Sequence, residues 1–139
     1  MNKLFGTEKI IVYTDGGARG NPGLAAVGVV IGNKKYCERI GYTTNNVAEY
    51  QAVIFALKKL RILLGKKEAK NTEIEMRMDS ELVVKQLNGK NKIKDSDLQP
   101  LFLEAWNSQQ DFKNVSWVFI PREQNKEADK LVNQALDKN

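Results

Sequence analysis

Four acidic residues of this 139-residue sequence lie at the ends of predicted buried strands or on or beside the apolar stripe of a predicted helix. Asp15 and Asp79 follow the runs "IIVY" and "EIEMRM", which predict strands that end at these acids. Glu49 and Asp129 fall in the first turns of two predicted helices, on or beside the apolar stripe. Each acid alone has a structural explanation. Asp15 would close a turn, Asp79 would cap a helix, and the other two would be solvated or stabilised by the helix dipole.

Taken together, the four acids indicate metal chemistry. If two strand ends and two helix starts converge on one edge of a sheet, their carboxylates repel each other. A hard divalent cation removes that repulsion, and oxygen-only ligands select magnesium or manganese. Two such ions about 4 Å apart clamp the attacking and leaving oxygens of a phosphodiester. The pattern therefore favours a two-metal phosphodiesterase site.

The composition narrows the possible chemistry. The sequence contains no histidine and one cysteine, Cys37, which excludes Ser-His and Cys-His catalysis, histidine metal sites and an internal disulfide. The single cysteine fits a reducing compartment. Lys and Arg number 22 against 17 Asp and Glu, and this balance favours a polyanionic partner. No apolar run reaches the ~18 residues of a membrane span, and no signal peptide is visible, so we expect a cytoplasmic protein that does not associate with membranes.

The elements that must carry the acids follow from the apolar periodicity. Strands are predicted at Lys9–Thr14, Leu24–Ile31, Tyr36–Tyr42, Glu73–Met78 and Val115–Ile120. Helices are predicted at Asn46–Leu64, Glu81–Leu87, Leu98–Gln109 and Lys126–Leu136, with "GKKEAKN" as a solvated link. The order βββαβααβα predicts a single α/β domain over residues 1–139. It would hold a mixed five-stranded sheet, three antiparallel hairpin strands followed by parallel strands, with helices packed on it.

Four stretches of the chain, in order, resemble those of the ribonuclease H family in its small type-one branch. They read "YTDGGARGNPG", "TTNNVAEYQA", "MDSELVVKQL" and "IPREQNKEADKLVNQA", and they span nearly the whole chain. The predicted order of strands and helices is similar as well. The resemblance implies a ribonuclease H-like fold. It also implies an endonuclease that hydrolyses the RNA strand of RNA/DNA hybrids and leaves 5′-phosphate and 3′-hydroxyl ends.

The resemblance further implies roles for the four acids, which match the family's metal-binding carboxylates. Two Mg²⁺ or Mn²⁺ ions would occupy the site with substrate bound. Asp15 would bridge both ions, and Asp129 would complete the ion that activates water. Glu49 and Asp79 would hold the ion beside the leaving 3′-oxygen, and Glu49 would also contact a 2′-hydroxyl.

Other positions match the family's contacts with the hybrid. The implied nucleic-acid contacts are Gly16, Asn21, Thr44, Asn45, Asn46 and Ser80. The glycine-rich turn would let a wide minor groove approach the backbone, with Asn21 near the sugars. Asn45 and Asn46 would read the groove, and Thr44 would lie near a DNA phosphate. For the two groove-reading asparagines, helix capping is the structural alternative.

Two features of many relatives are missing. One is a histidine before the last helix, where this chain reads "PREQNKEAD" and offers Arg122 or Glu123 as substitutes. The other is a long basic protrusion, where residues 87–98 here form only a short loop. Lysines of this region would form a reduced grip on the hybrid, or they are simply solvated. They are Lys85, Lys90, Lys92 and Lys94.

The resemblance makes an RNA/DNA hybrid the expected partner of a monomer, with no obligatory protein partner and no additional hybrid-binding domain. Two alternatives stay open. The same fold could bind a hybrid or duplex without cutting, although the four intact acids argue against this. An integrase-like nuclease would act on DNA, although the "TTNN" stretch argues for a hybrid.

Overall fold

A computed structural model describes residues 9–138 of the chain. Its sheet has five strands: β1 (Lys9–Gly20), β2 (Gly23–Ile31), β3 (Lys34–Thr43), β4 (Glu73–Met78) and β5 (Asn114–Phe119). They lie in the order β3-β2-β1-β4-β5. The first three strands are antiparallel, whereas β4 runs parallel to β1 and β5 runs parallel to β4. This arrangement confirms the predicted fold class.

Within the described residues, five helices connect and cover the strands. They are α1 (Asn45–Leu64), α2 (Lys66–Lys70), α3 (Glu81–Leu87), α4 (Gln99–Gln109) and α5 (Lys126–Asp137), with a short 3₁₀ helix at Arg122–Gln124. The prediction of a solvated link after α1 is wrong, because that stretch contains α2 and fully buries Ala69. One apolar residue among charged ones gives no helical period that the sequence could reveal. Within residues 9–138, none of the helices is both long and apolar enough to cross a bilayer.

Helices lie on both faces of the sheet, and β2 shows this most clearly. Val29 belongs to the large core beneath α1, whereas the next residue, Val30, packs with Ala128 and Leu131 of α5. Burial on both faces explains why β2 is an uninterrupted apolar run instead of an alternating one. The sheet is therefore held between α1 and α5, the two helices that carry Glu49 and Asp129.

Strand β1 is longer than predicted, since it continues through the glycines to Gly20. The prediction that Asp15 ends this strand is therefore wrong on the β2 side, where Asp15 pairs with Gly28. On the other side, the parallel ladder with β4 stops at Tyr13. Asp15 consequently lies two residues beyond the β4 ladder while its backbone is still held by β2.

Candidate active site

Two neighbouring strands and one helix bring three carboxylates together. Asp15 lies just beyond the β1–β4 ladder, and Asp79 directly follows the last residue of β4. Glu49 reaches the same point from α1. Carboxylate oxygens of the three residues all lie within 4.8 Å of one another. The structure thus brings these acids to one edge of the sheet, where open α/β sheets place their sites.

Helix α1 is positioned by a cap and by a close approach to the sheet. The Thr44 hydroxyl accepts a hydrogen bond from the amide of Val47 (3.3 Å), so the helix begins at Asn45 and its first turn contains no acid. The prediction that Glu49 lies in the first turn is therefore wrong. A Cβ at Gly16 would overlap the carbonyl of Ala48. Because Gly16 has no side chain, its amide can donate to Oε1 of Glu49 at 3.3 Å.

Asp129 approaches from the opposite face of the sheet. It lies in the first turn of α5, as predicted, and its carboxylate is near enough to Asp15 to raise the pKa of that acid. Helix α5 packs closely on β2 at Gly28, where a Cβ would overlap the carbonyl of Ala128 and come within 2.9 Å of Leu131 Cβ. The fourth acid therefore joins the cluster through Asp15 and lies outside the tight group of three.

The cluster is electrostatically unfavourable without a cation. Burial raises the pKa of Asp15 to about 8, and repulsion from Asp79 and Asp129 acts in the same direction. Burial also raises the pKa of Glu49 well above its usual range, again with repulsion from Asp15 and Asp79. The Arg122 guanidinium and the Gly16 amide only partly offset this rise for Glu49. Such crowded, desolvated carboxylates are typical of functional sites.

An open cleft surrounds the acids and is walled mainly by polar groups. Besides the four acids, its lining residues include Gly16, Gly17, Ala18, Arg19, Asn45, Ser80, Arg122 and Asn133. Ser80 caps α3, since its Oγ accepts from the amide of Val83 at 3.3 Å. The helix-cap explanation of Asp79 is therefore wrong, and its carboxylate faces the other acids instead.

The asparagines near the cleft join the β1–β2 turn to the start of α1. Asn21 Oδ1 accepts from the backbone amide of Asn45 (3.0 Å), and Asn45 Oδ1 accepts from the amide of Ala18 (2.8 Å). The capping alternative for the asparagines is wrong, because Thr44 supplies the cap. Asn46 is partly buried in the first turn of the helix.

The remaining predicted positions differ in how close they lie to the acids. Arg122 lines the cleft, whereas Glu123 is exposed and does not. Lys90, Lys92 and Lys94 are exposed in the loop before α4 and are not part of the cleft wall. Of the two proposed substitutes for histidine, only Arg122 is placed at the site.

Sequence reasoning missed three residues at or behind the cleft. Arg19 donates to Asn133 Oδ1 (3.3 Å) and pairs with Asp137 (2.7 Å). The alternation of side chains along β1 places Arg19 on the same face as Asp15 and could have identified it. The strand was predicted to end at Thr14, so this alternation was not extended to Arg19. Asn133 follows Asp129 by four residues, one helical turn along α5. Asn125 lies behind the acids and donates to Asp79.

Comparison with known proteins gives consistent matches. Residues 13–135 match the model of the family described as reverse transcriptase-like. Ribonuclease HI of Halobacterium salinarum is 38% identical over 135 residues, which cover 93% of this chain and 65% of that protein. Its crystal structure superposes with a TM-score of 0.85 at 39% identity and covers 94% of this chain and 98% of the other.

Other relatives extend the match. A bifunctional protein of Mycobacterium tuberculosis is 38% identical over 93% of this chain, and the chain spans only 36% of that protein's length. An RNase H1 isolated from compost is 48% identical with a TM-score of 0.86, covering 93% of this chain and 96% of the other; the same enzyme has been solved in complex with an RNA/DNA hybrid. The fold, the site geometry and these matches agree: the chain belongs to the ribonuclease H family.

Proposed function

We propose that this chain hydrolyses the RNA strand of RNA/DNA hybrids as a metal-dependent endonuclease, leaving 5′-phosphate and 3′-hydroxyl ends. The observation that carries the proposal is the acid cluster, three carboxylates whose oxygens lie within 4.8 Å of one another in a ribonuclease H fold. The net charge of +5 suits a polyanionic substrate. The compost relative, 48% identical, binds such a hybrid in its solved complex.

The donor set of the cluster fits hard divalent cations, because every ligand that it offers is a carboxylate oxygen. We propose two Mg²⁺ or Mn²⁺ ions when substrate is bound. Bound ions supply Lewis acidity to the phosphodiester and lower the pKa of water. Asp15 is repelled by both Asp79 and Asp129, which supports its assignment as the acid shared by both ions. Glu49 is repelled by Asp15 and Asp79, which supports grouping it with Asp79 beside the leaving oxygen.

The β1–β2 turn and the start of α1 are proposed as the surface that reads the hybrid. The hydrogen bonds that join Asn21, Asn45 and Ala18 fix the turn against the helix, so this surface is preorganised. Asn21 would contact sugars in the minor groove, Asn45 and Asn46 would contact bases there, and Thr44 would lie near a DNA phosphate. Gly16 and Ser80 would contact the strand at the acids themselves.

The lysines of the loop before α4 are proposed to add affinity without reading sequence, because phosphate contacts position a protein but carry no sequence information. Replacing Lys90, Lys92 and Lys94 together with alanine should raise KM and flatten the salt dependence of binding. An unchanged salt dependence would mean that these exposed lysines are merely solvated. We also propose that the protein acts as a cytoplasmic monomer, which size-exclusion chromatography with light scattering tests for oligomeric state.

One assay separates the proposed function from its alternatives. End-labelled RNA/DNA hybrid, duplex RNA and duplex DNA are each incubated with the protein, with Mg²⁺ or with excess chelator. We expect cutting of the RNA strand of the hybrid only when metal is present. Hybrid binding without cutting would favour a non-catalytic binding module, and cutting of duplex DNA would favour an integrase-like nuclease. Asp15→Asn serves as the control for a contaminating nuclease, because it removes a carboxylate and keeps the side-chain shape.

A further inference from the structure

Asn125 lies directly behind the acid cluster and is only 1% exposed. Its side-chain Nδ2 donates to the carbonyl oxygen of Thr14 (2.9 Å) and to Oδ2 of Asp79 (3.2 Å). Both partners are acceptors, and an amide group has two N–H donors. The orientation of the amide is therefore fixed by its partners, and both donors are used.

Asn125 also reaches the helix of the fourth acid. Its backbone carbonyl accepts a hydrogen bond from the amide of Asp129 at 3.1 Å, whereas its side chain does not cap α5. One residue thus contacts the strand immediately before Asp15, the carboxylate of Asp79 and the backbone of Asp129. Asp15 lies on β1, Asp79 directly follows β4 and Asp129 lies on α5, so Asn125 contacts all three segments that carry these acids.

The other end of the same amide is left unpaired. Asn125 Oδ1 is buried and has no hydrogen-bond partner among the residues that the structure describes. A buried unpaired carbonyl is costly, and such groups in native structures tend to have a functional explanation. An asparagine kept only for stability would be expected to satisfy both ends. Here the orientation of the side chain is set by its two hydrogen bonds, to the carbonyl of Thr14 and to the carboxylate of Asp79.

We propose that Asn125 is a positioning residue for the metal site. By donating to Oδ2 of Asp79, it fixes the orientation of that carboxylate. By holding the start of α5 against Thr14, it also sets the spacing between Asp15 and Asp129. The proposal rests on the proposed function, since it presupposes that the acids bind a cation. Asn125 is not part of the cleft wall, so it acts on the ligands and does not contact substrate.

Asn125→Ala tests the proposal through metal dependence. Loss of a hydrogen-bond partner of a metal ligand typically costs 10–100-fold in metal affinity or activity, so the half-saturating Mg²⁺ concentration for hybrid cleavage should rise at least about tenfold. KM for the hybrid at saturating metal should not change. Without substrate, the rise in melting temperature on adding millimolar Mn²⁺ should be smaller than in the wild type.

Asn88→Ala is the control for losing an asparagine–carbonyl hydrogen bond away from the acids, at an exposed position. Asn88 also donates its Nδ2 to a strand carbonyl, that of Trp117 at 3.2 Å, but it touches no acid of the cluster. This variant should lose some stability and keep the wild-type metal dependence. If Asn125→Ala does not fold, Asn125→Ser provides a second variant that keeps a favoured residue at the helix start but is too short to reach Asp79.

Each outcome decides the proposal. A lower melting temperature with wild-type metal dependence in Asn125→Ala would make the residue merely structural and overturn it. Failure of both Asn125 variants to fold would overturn it as well, since the role would then be in folding. A wild-type protein that neither cuts the hybrid nor responds to metal would instead overturn the proposed function, so the two failures are distinguishable.

Discussion

Strands β1 and β4 contribute to two groups of side chains, and a carboxylate has opposite electrostatic surroundings in the two groups. In the first, which we call the paired group (Lys9, Tyr13, Glu75 and Arg77), Glu75 accepts from Arg77 Nε at 2.7 Å and from Lys9 Nζ at 3.4 Å. Arg77 also donates to the hydroxyl of Tyr13 at 2.8 Å. These bonds, that of Arg77 foremost, lower the pKa of Glu75. Two residues beyond Tyr13, burial and repulsion raise the pKa of Asp15 to about 8.

The difference shows what the acid cluster lacks. Both groups involve β1 and β4, since Asp15 lies on β1 and Asp79 directly follows β4, whereas Glu49 and Asp129 join the acid cluster from α1 and α5. The paired group carries its own cations and is complete within the fold. In the acid cluster, the guanidinium of Arg122 lowers the pKa of Glu49 but does not offset burial and the repulsion from Asp15 and Asp79. A group that folding leaves with excess negative charge is suited to binding a positive ligand from outside.

The largest effect should come from Asp15→Asn. Loss of an outer hydrogen-bond partner of a metal ligand typically costs 10–100-fold, so loss of Asp15, the proposed shared ligand, should lower hybrid cleavage by more than about 100-fold. Because the variant also removes a desolvated and repelled carboxylate, its metal-free form should be more stable than the wild type at neutral pH. Cleavage assays and urea denaturation measure the two effects.

Asp111→Asn is the control, since it changes an exposed aspartate outside the cluster. It should leave cleavage and stability nearly unchanged. An Asp15→Asn protein that cuts at the wild-type rate would remove the basis of the metal mechanism. If Asp15→Asn were less stable than the wild type, the acid cluster would not lower the free energy of unfolding. The contrast with the paired group would then be lost.

The next effect is a pH dependence of stability that metal should suppress. The pKa of Asp15 is about 8 in the folded protein against a usual 3.8, so the folded state holds a proton that the unfolded state releases. The contribution of this proton to the free energy of unfolding is fully present below about pH 4 and is lost as pH rises towards about 8. The loss is up to about 1.4 kcal/mol per pH unit for one proton. Glu49 acts in the same direction. The lowered pKa of Glu75 has the opposite sign, because its stability is lost as pH falls.

Urea denaturation at pH 5 and pH 8, in chelator and in millimolar Mg²⁺, measures this dependence. In chelator, the free energy of unfolding should fall between the two pH values more steeply for the wild type than for Asp15→Asn. A metal ion that binds the ionised cluster would stabilise the folded state by mass action, so on the proposed function Mg²⁺ should reduce the wild-type slope. Equal slopes in chelator for both proteins would contradict the raised pKa of Asp15.

A smaller, several-fold effect is expected from Arg122→Ala. Arginine stays protonated and cannot act as a base, so Arg122 would help by drawing the product phosphate away from the acids. Steady-state turnover should therefore slow while the single-turnover rate stays nearly unchanged. Glu123→Ala is the neighbouring control, because Glu123 is exposed and outside the cleft. A reduced single-turnover rate in Glu123→Ala would instead identify Glu123 as the proton acceptor.

The smallest effect should come from breaking the paired group. Glu75→Gln removes an ion pair near the surface, which typically contributes up to about 1 kcal/mol. Thermal unfolding should show a slight loss of stability, with cleavage and the metal-induced shift in melting temperature unchanged. A loss of activity comparable to that of Asp15→Asn would mean that the two groups are coupled, which would break the comparison.

Much of the fold was predictable because apolar periodicity is a local property. The strands and long helices follow from it, and so does the expectation that Asp79 lies at a strand end. The extension of β1 was not predictable, because glycines disfavour strands unless neighbouring elements come close, as α1 does at Gly16. The bonds of Asn125 were equally hidden, since they join it to Thr14 and Asp79, which lie 111 and 46 residues away in sequence.

The close approach of both helices to the sheet has a consequence for how mutational scans of this protein should be read. At Gly16 and Gly28 even a single added methyl group would push α1 or α5 away from the strands, and Glu49 or Asp129 would move with it. Alanine, the mildest replacement at most positions, is among the most disruptive at these two. In a scan that measures only activity, substitutions at these two glycines would therefore cause losses similar to those at the carboxylates. The absence of a side chain at Gly16 and Gly28 therefore sets how closely the helices bring Glu49 and Asp129 to the sheet.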